Sequence, residues 1–153
     1  MTLGSATDAG IYARAFEDCV VEVGVASGRV VGVSFPPAVS EDAATDHPLL
    51  DRIEAYVGGA EDHFDDVQVA LTVPTAQREV LEAVRNVPYG ETVSVARVAR
   101  MAGLDDEDDE DLATVETALR ENPVPLFVPD HRIEGPGATP SELVRLFRSV
   151  EAE

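Results

Sequence analysis

The sequence contains no lysine: its eleven basic residues are all arginine, set against thirty Asp and Glu for a net charge of −19. Self-repulsion of this size works against a compact state in dilute buffer, whereas about 1 M salt shortens the screening length to about 3 Å and quiets it. The pairing of no lysine with so large an acid excess predicts a protein built for a very salty cytoplasm. The plainer alternative is an ordinary acidic protein from a GC-rich genome, and loss of structure at low salt separates the two. Cysteine is nearly absent as well. The single Cys19 excludes an internal disulfide, and it lies in the alternating run "CVVEVGVA", which suits a half-buried strand. No His or Arg stands within that run to lower a thiol pKa, so a packed small hydrophobe is the expected role and a reactive thiol the sharper alternative. Long apolar runs are missing too: nothing approaches the roughly 18 apolar residues of a membrane span, and no basic region precedes an apolar one at the N-terminus. The expectation is a cytoplasmic protein without membrane contact. No internal repeat is visible.

What is present is enough apolar material for a core. With 44% hydrophobic residues in 153 positions, the chain suits one ordinary domain or two small ones. Residues 18–35 read as two strands around the turn Ser27-Gly28, and "DHPLLDRIEAYVGG" as a helix with Asp46 as its cap and Gly58-Gly59 as its stop. "VQVAL" reads as a further short strand before Pro74. The acids of this first portion are scattered over helix faces and loops, which is the pattern of a solvated surface and not of a metal site.

From Thr75 the pattern turns helical, with Val80, Leu81, Val84 and Val87 on one face. The turn "PYGE" follows, then a short helix from Ser94 that stops at Gly103. After the acidic run "DDEDDED" (Asp105 to Asp111) a third helix is expected from Leu112 to Glu121, with Leu112, Val115, Ala118 and Leu119 on one face. Two short helices followed by a strand suggest a helix-turn-helix or winged arrangement. Acids in a first helical turn favour the helix dipole, which gives the run an ordinary structural reading ahead of metal binding or DNA mimicry. The apolar run Val124 to Val128 reads as a buried strand that delivers Pro129, Asp130, His131 and Arg132 to its end. A buried carboxylate there is expected to pair with His131 or Arg132. Thr139, Pro140 and Glu142 make a capping-box start for a last helix with Leu143, Leu146, Phe147 and Val150 as its buried stripe.

The segments "VPTAQREVLEAVRNVPYGETVSVARVARMAGL" and "ALRENPVPLFVPDHRI" resemble the DNA-binding domain of the methylated-DNA-protein-cysteine methyltransferases, the alkylguanine-DNA alkyltransferases. "PYGETVS" and "NPVP" followed by a Pro-x-His-Arg end carry the likeness. It implies an α+β chain: a small RNase H-like α/β N-terminal domain over residues 1–72 and a winged helix-turn-helix-like C-terminal domain over residues 73–153. Family members flip an alkylated guanine out of DNA and move its alkyl group to the cysteine of a Pro-Cys-His-Arg motif, activated by the histidine. Here Asp130 stands at that position, and a carboxylate is a far poorer nucleophile toward saturated carbon than a thiolate. His131 and Arg132 remain. The family's nucleotide-rotating tyrosine aligns with Val95 and its intercalating arginine with Ala113, and the loop after the motif is shortened to "EGPGATP". A methyl group cannot fill the gap left in a base stack.

The resemblance therefore implies an alkyltransferase-like DNA-binding protein without the acceptor cysteine. Ser94, Arg97, Arg100, Thr114, Arg120 and Asn122 are its candidate DNA contacts, although Arg97 and Arg100 read equally as solvated charges and Asn122 as a helix C-terminal cap. For His131, a side chain held by hydrogen bonds behind the motif is expected ahead of catalysis. DNA, alkylated or not, and protein repair factors are the expected partners, with no cofactor, no metal and a monomeric state. Two further readings compete: an interaction module that has lost DNA, consistent with the acidic run at the presumed recognition helix, and an enzyme in which Asp130 takes an alkyl group as an ester that water hydrolyses. Two adjacent side chains, Asp130 and His131, are too few for a metal site.

Overall fold

A computed structural model describes residues 9–16 and 19–152. The chain divides into two compact units, Met1–Ala70 and Leu71–Glu153, and the fold is α+β, with one three-stranded sheet and five α-helices among the described residues.

In the first unit, β1 (Gly10–Ala15), β2 (Val20–Ala26) and β3 (Arg29–Ser34) form an antiparallel meander in the order β1-β2-β3. Ser27 and Gly28 both take positive φ, 54° and 76°, the geometry of a two-residue turn whose twist matches that of its strands. The strands alternate as a half-buried sheet should: Val21, Val23 and Val25 of β2 point inward with Ala13, Val30 and Val33 of the flanking strands. Helix α1 (Pro48–Val57) buries Leu50, Ile53 and Tyr56, one apolar stripe at helical spacing.

Several expectations are corrected in this unit. The cap of α1 is His47, whose Nδ1 accepts from Leu49 N at 3.1 Å, and not Asp46. "VQVAL" forms no strand. It makes a single parallel bridge, Val69 with Val30, because its turn-rich flanks leave too short an extended run to continue a ladder. Strand β1 had no reading in the sequence, since its one fully buried side chain is the small Ala13. Of the strand expected from residue 18, that first residue lies outside the described residues, and Cys19 is half-buried one position before β2.

The second unit is helical: α2 (Thr75–Val84), α3 (Val95–Met101), α4 (Asp109–Arg120) and α5 (Ser141–Glu151). Val80, Leu81, Val84 and Val87 are buried as the spacing predicts, together with Val98, Val115, Ala118 and Leu119. Ser94 is the cap of α3, its hydroxyl accepting from Arg97 N at 3.1 Å, and Gly103 takes φ 80° just after the helix ends. Helix α4 starts three residues before the expected Leu112, because Asp108 caps it through Glu110 N at 2.8 Å and places Asp109, Glu110 and Asp111 in its first turn.

The expected strand Val124 to Val128 is absent. Pro123 and Pro125 supply no N–H to a ladder, Leu126 takes φ 80°, and Val128 N closes a turn onto Val124 O at 2.9 Å. The segment is still buried from Val124 to Val128, so its apolar character reports a packed turn. The capping box before α5 also fails to form: Pro140 is the cap position without a side-chain bond, and the buried Thr139 hydroxyl has no hydrogen-bond partner. Leu143, Phe147 and Val150 are buried and Leu146 half-buried, as the stripe requires.

Candidate functional site

The motif sits on a single turn of 3-10 helix, Asp130–Arg132. Pro129, at φ −81° and ψ 73°, makes an inverse γ-turn in which Asp130 N donates to Val128 O at 2.8 Å. Behind the motif, Val93 N donates to Arg132 O at 2.9 Å and Glu134 N to Val93 O at 2.8 Å, tying it to the segment that enters α3. Arg148 of α5 braces the same stretch, donating from Nε to His131 O at 2.7 Å and from Nη2 to Ile133 O at 3.1 Å.

Asp130, His131 and Arg132 are all buried, with 2%, 1% and 5% of their surfaces exposed. The carboxylate does not pair with either neighbour. Its Oδ2 accepts from Asn122 Nδ2 at 3.0 Å and from Ala138 N at 3.1 Å. Its Oδ1 has no hydrogen-bond partner. Burial pushes the Asp130 pKa above its ordinary value, opposed by the Thr139 hydroxyl, by Asn122 and by the charge of His131. That hydroxyl is near enough to favour the ionised form, yet neither it nor Oδ1 has a partner at hydrogen-bond distance.

His131 and Arg132 instead converge on Glu151, the last residue of α5. His131 Nε2 lies 2.7 Å from Glu151 Oε2, and Arg132 donates to both carboxylate oxygens, at 2.9 Å and 3.0 Å. Arg132 Nη1 donates to Val87 O at 2.9 Å, and its guanidinium lies 5.5 Å from the centre of the Tyr89 ring. Gly90 N adds a donor to Glu151 Oε1 at 3.1 Å. An acid at a helix C-terminus opposes the helix dipole; this one is offset by a buried guanidinium and an imidazole. This acid was not singled out from the sequence, although a signal for it was there. Glu151 continues the stripe Leu143, Phe147 and Val150 onto the buried face, and an acid on an apolar face implies a partner. With Nε2 committed, His131 presents Nδ1, buried and without a partner.

The other candidates divide between surface and interior. Arg97, Arg100 and Arg120 are exposed on α3 and α4, and Ser94 and Thr114 are half-buried. The Ser94 hydroxyl is used as a cap and the Thr114 hydroxyl donates to Glu110 O at 3.1 Å. Arg100 is ion-paired to Asp106 of the acidic run. Asn122 is neither a surface contact nor the cap of α4, which is Glu121. It is 4% exposed, and its amide is spent inside the fold: Nδ2 donates to Val128 O as well as to Asp130, while Oδ1 accepts from Val124 N at 3.0 Å. Among the described residues no three His, Cys, Asp or Glu are grouped to hold a metal ion, and no helix is long and apolar enough to cross a membrane.

Residues 75–142 match the family described as 6-O-methylguanine DNA methyltransferase, DNA binding domain. The methylated-DNA-protein-cysteine methyltransferase of Methanopyrus kandleri is 37% identical over 102 residues, which cover 67% of this chain and 72% of that protein. The fold is shared with the Mycobacterium tuberculosis O6-methylguanine methyltransferase, at a TM-score of 0.77 and 21% identity over 95% of this chain and 93% of that one. It is shared also with the M. tuberculosis OGT crystallised in complex with DNA, at a TM-score of 0.75 and 22% identity over 93% and 92% of the two chains. The chain belongs to the methylated-DNA-protein-cysteine methyltransferase family.

Proposed function

We propose that this protein is a non-enzymatic, alkyltransferase-like DNA-binding protein of DNA alkylation repair. In this reading its first unit is RNase H-like and its second a winged helix-turn-helix. The observation that carries the reading is the carboxylate of Asp130 at the acceptor position of the motif, buried and held by Asn122 and Ala138 N. A thiolate attacks saturated carbon because it is soft and weakly solvated. A carboxylate with one oxygen committed to two donors and its protonated form favoured by burial is a poor substitute. Cys19, the one cysteine of the chain, belongs to the first unit. His131, Arg132 and Glu151 then serve to hold the 3-10 turn in place, and DNA is met by Ser94, Arg97, Arg100, Thr114 and Arg120 on α3 and α4. Asn122 supports that surface from inside. The protein acts as a monomer in a salt-rich cytoplasm, where screening silences the acidic run, and hands the lesion to protein repair factors.

The test is fluorescence anisotropy with matched duplexes, with and without a methylated guanine, in about 2 M KCl to keep the screening length short, together with intact-mass measurement of the protein afterwards. Binding with preference for the lesion and no added alkyl mass is expected. An alkyl adduct at Asp130, or steady loss of methylated guanine, would show an enzyme using the aspartate as acceptor. The ion pair of Arg100 with Asp106, which engages one of the proposed phosphate contacts with an acid, favours the second reading, an interaction module without DNA; it predicts no binding to either duplex at any salt.

A further inference from the structure

A cavity of about 480 Å³ opens in the second unit between the loop that follows the motif and the first turns of α5. The charged side chains on its wall are Arg145 and Arg148, and no Asp or Glu lines it. In a chain with thirty acids and eleven bases, a concave surface with two guanidiniums and no carboxylate is a local reversal of the protein's field. Arg148 is fixed by its two bonds to backbone carbonyls at His131 and Ile133, which leaves its Nη1 uncommitted. Arg145, one turn earlier on α5 and exposed, has no hydrogen-bond or ion-pair partner among the described residues.

One more feature of the wall favours an anion. Helix α5 runs for 11 residues and begins at Pro140 with no side-chain cap, so its first N–H groups and the positive end of its dipole are available beside the cavity. Thr139 also lines the cavity, with its hydroxyl buried beside the Asp130 carboxylate. Gly135, Pro136 and Gly137 close the other side. Glu142, the acid of the first turn, is exposed and lies off the wall.

We propose that this cavity is a phosphoryl-binding site, in which Arg145 and Arg148 neutralise the anion and the N-terminus of α5 supplies backbone donors. The phosphoryl group comes either from a DNA backbone, an arm that rests on the DNA-binding reading above, or from a free phosphate compound. Guanidiniums at two successive turns suit a tetrahedral group with several acceptor oxygens, where a single carboxylate would engage one of them.

The test is a titration of the whole protein with potassium phosphate against potassium chloride at matched ionic strength, read by backbone amide NMR. Saturable shifts at Thr139, Ser141 and Glu142 are expected, with affinity lowered about tenfold in Arg145→Gln, the loss of one charge-assisted contact, and largely kept in Arg145→Lys. No saturable shift in the wild type, or equal shifts in Arg145→Gln, overturns the site. Duplex binding by the same proteins assigns the source. Joint weakening of phosphate and duplex in Arg145→Gln supports a DNA phosphate, and weakening of phosphate alone supports a free one. A wild type that binds phosphate and no duplex refutes the DNA-binding reading and leaves the site standing.

Discussion

Glu151 and Arg132 form a buried ion pair in which the guanidinium reaches both carboxylate oxygens, at 2.9 Å and 3.0 Å. The same carboxylate receives His131 at 2.7 Å, so one residue at the end of α5 fixes two residues of the motif.

Removing that carboxylate strands the buried charge of Arg132. Glu151→Ala is expected to destabilise the second unit by about 3–5 kcal/mol, the cost of breaking a buried pair from one side. Glu151→Gln, which keeps the shape and one acceptor, should lose less. Denaturant unfolding in molar KCl measures both, and a Glu151→Ala loss below about 1 kcal/mol, the level of an exposed pair, would show that the pair contributes only as surface ions do.

Asp130 makes stability depend on pH with a definite sign. Its pKa is raised above the ordinary 3.8 by burial, so between 3.8 and the raised value the folded state binds more protons than the unfolded state. Stability contributed by the protonated group is full below 3.8 and is lost as pH rises through the folded value. Asp130→Asn lacks this loss and can still accept from Asn122 and Ala138 N. Relative to the variant, the wild type should weaken as pH rises through that window and then run parallel. A constant offset at all pH values contradicts the expectation.

Gly137 packs directly against Asp130: a Cβ added there would lie 3.0 Å from Asp130 Cγ and 3.1 Å from its Cβ. Gly137→Ala is expected to cost about 1–3 kcal/mol through overpacking. In an Asp130→Ala background the cost should shrink, because Cγ and its oxygens are gone; additive losses in a double-mutant cycle would show that the two residues do not press on each other.

Salt should control the whole chain. With a net charge of −19 and no lysine, the protein is expected to lose structure in circular dichroism as KCl is removed and to regain it near about 1 M, where the screening length is about 3 Å. A full native spectrum in dilute buffer would return it to the ordinary acidic class.

The sequence by itself determined the helices of the second unit and their buried faces, because Val80, Leu81, Val84, Val115 and Leu119 repeat at a spacing that only one side of a helix can satisfy. It determined the Ser27-Gly28 turn and the cap at Ser94, both local matters of backbone and one hydroxyl. It also set aspartate in the middle of the Pro-x-His-Arg motif. Tertiary structure alone decided what Asp130 meets: Asn122 and Ala138 N, each eight residues away in the chain, and not the adjacent His131 or Arg132. Those two turn to Glu151 on another helix. Sequence adjacency fixes which side chains leave the backbone close together, but a 3-10 turn points successive side chains in different directions, and packing then chooses their partners. For the same reason the apolar run Val124 to Val128 looked like a strand and is a turn. Hydrophobicity reports burial, whereas a strand also needs a neighbour to bond, and the prolines and the left-handed Leu126 leave none.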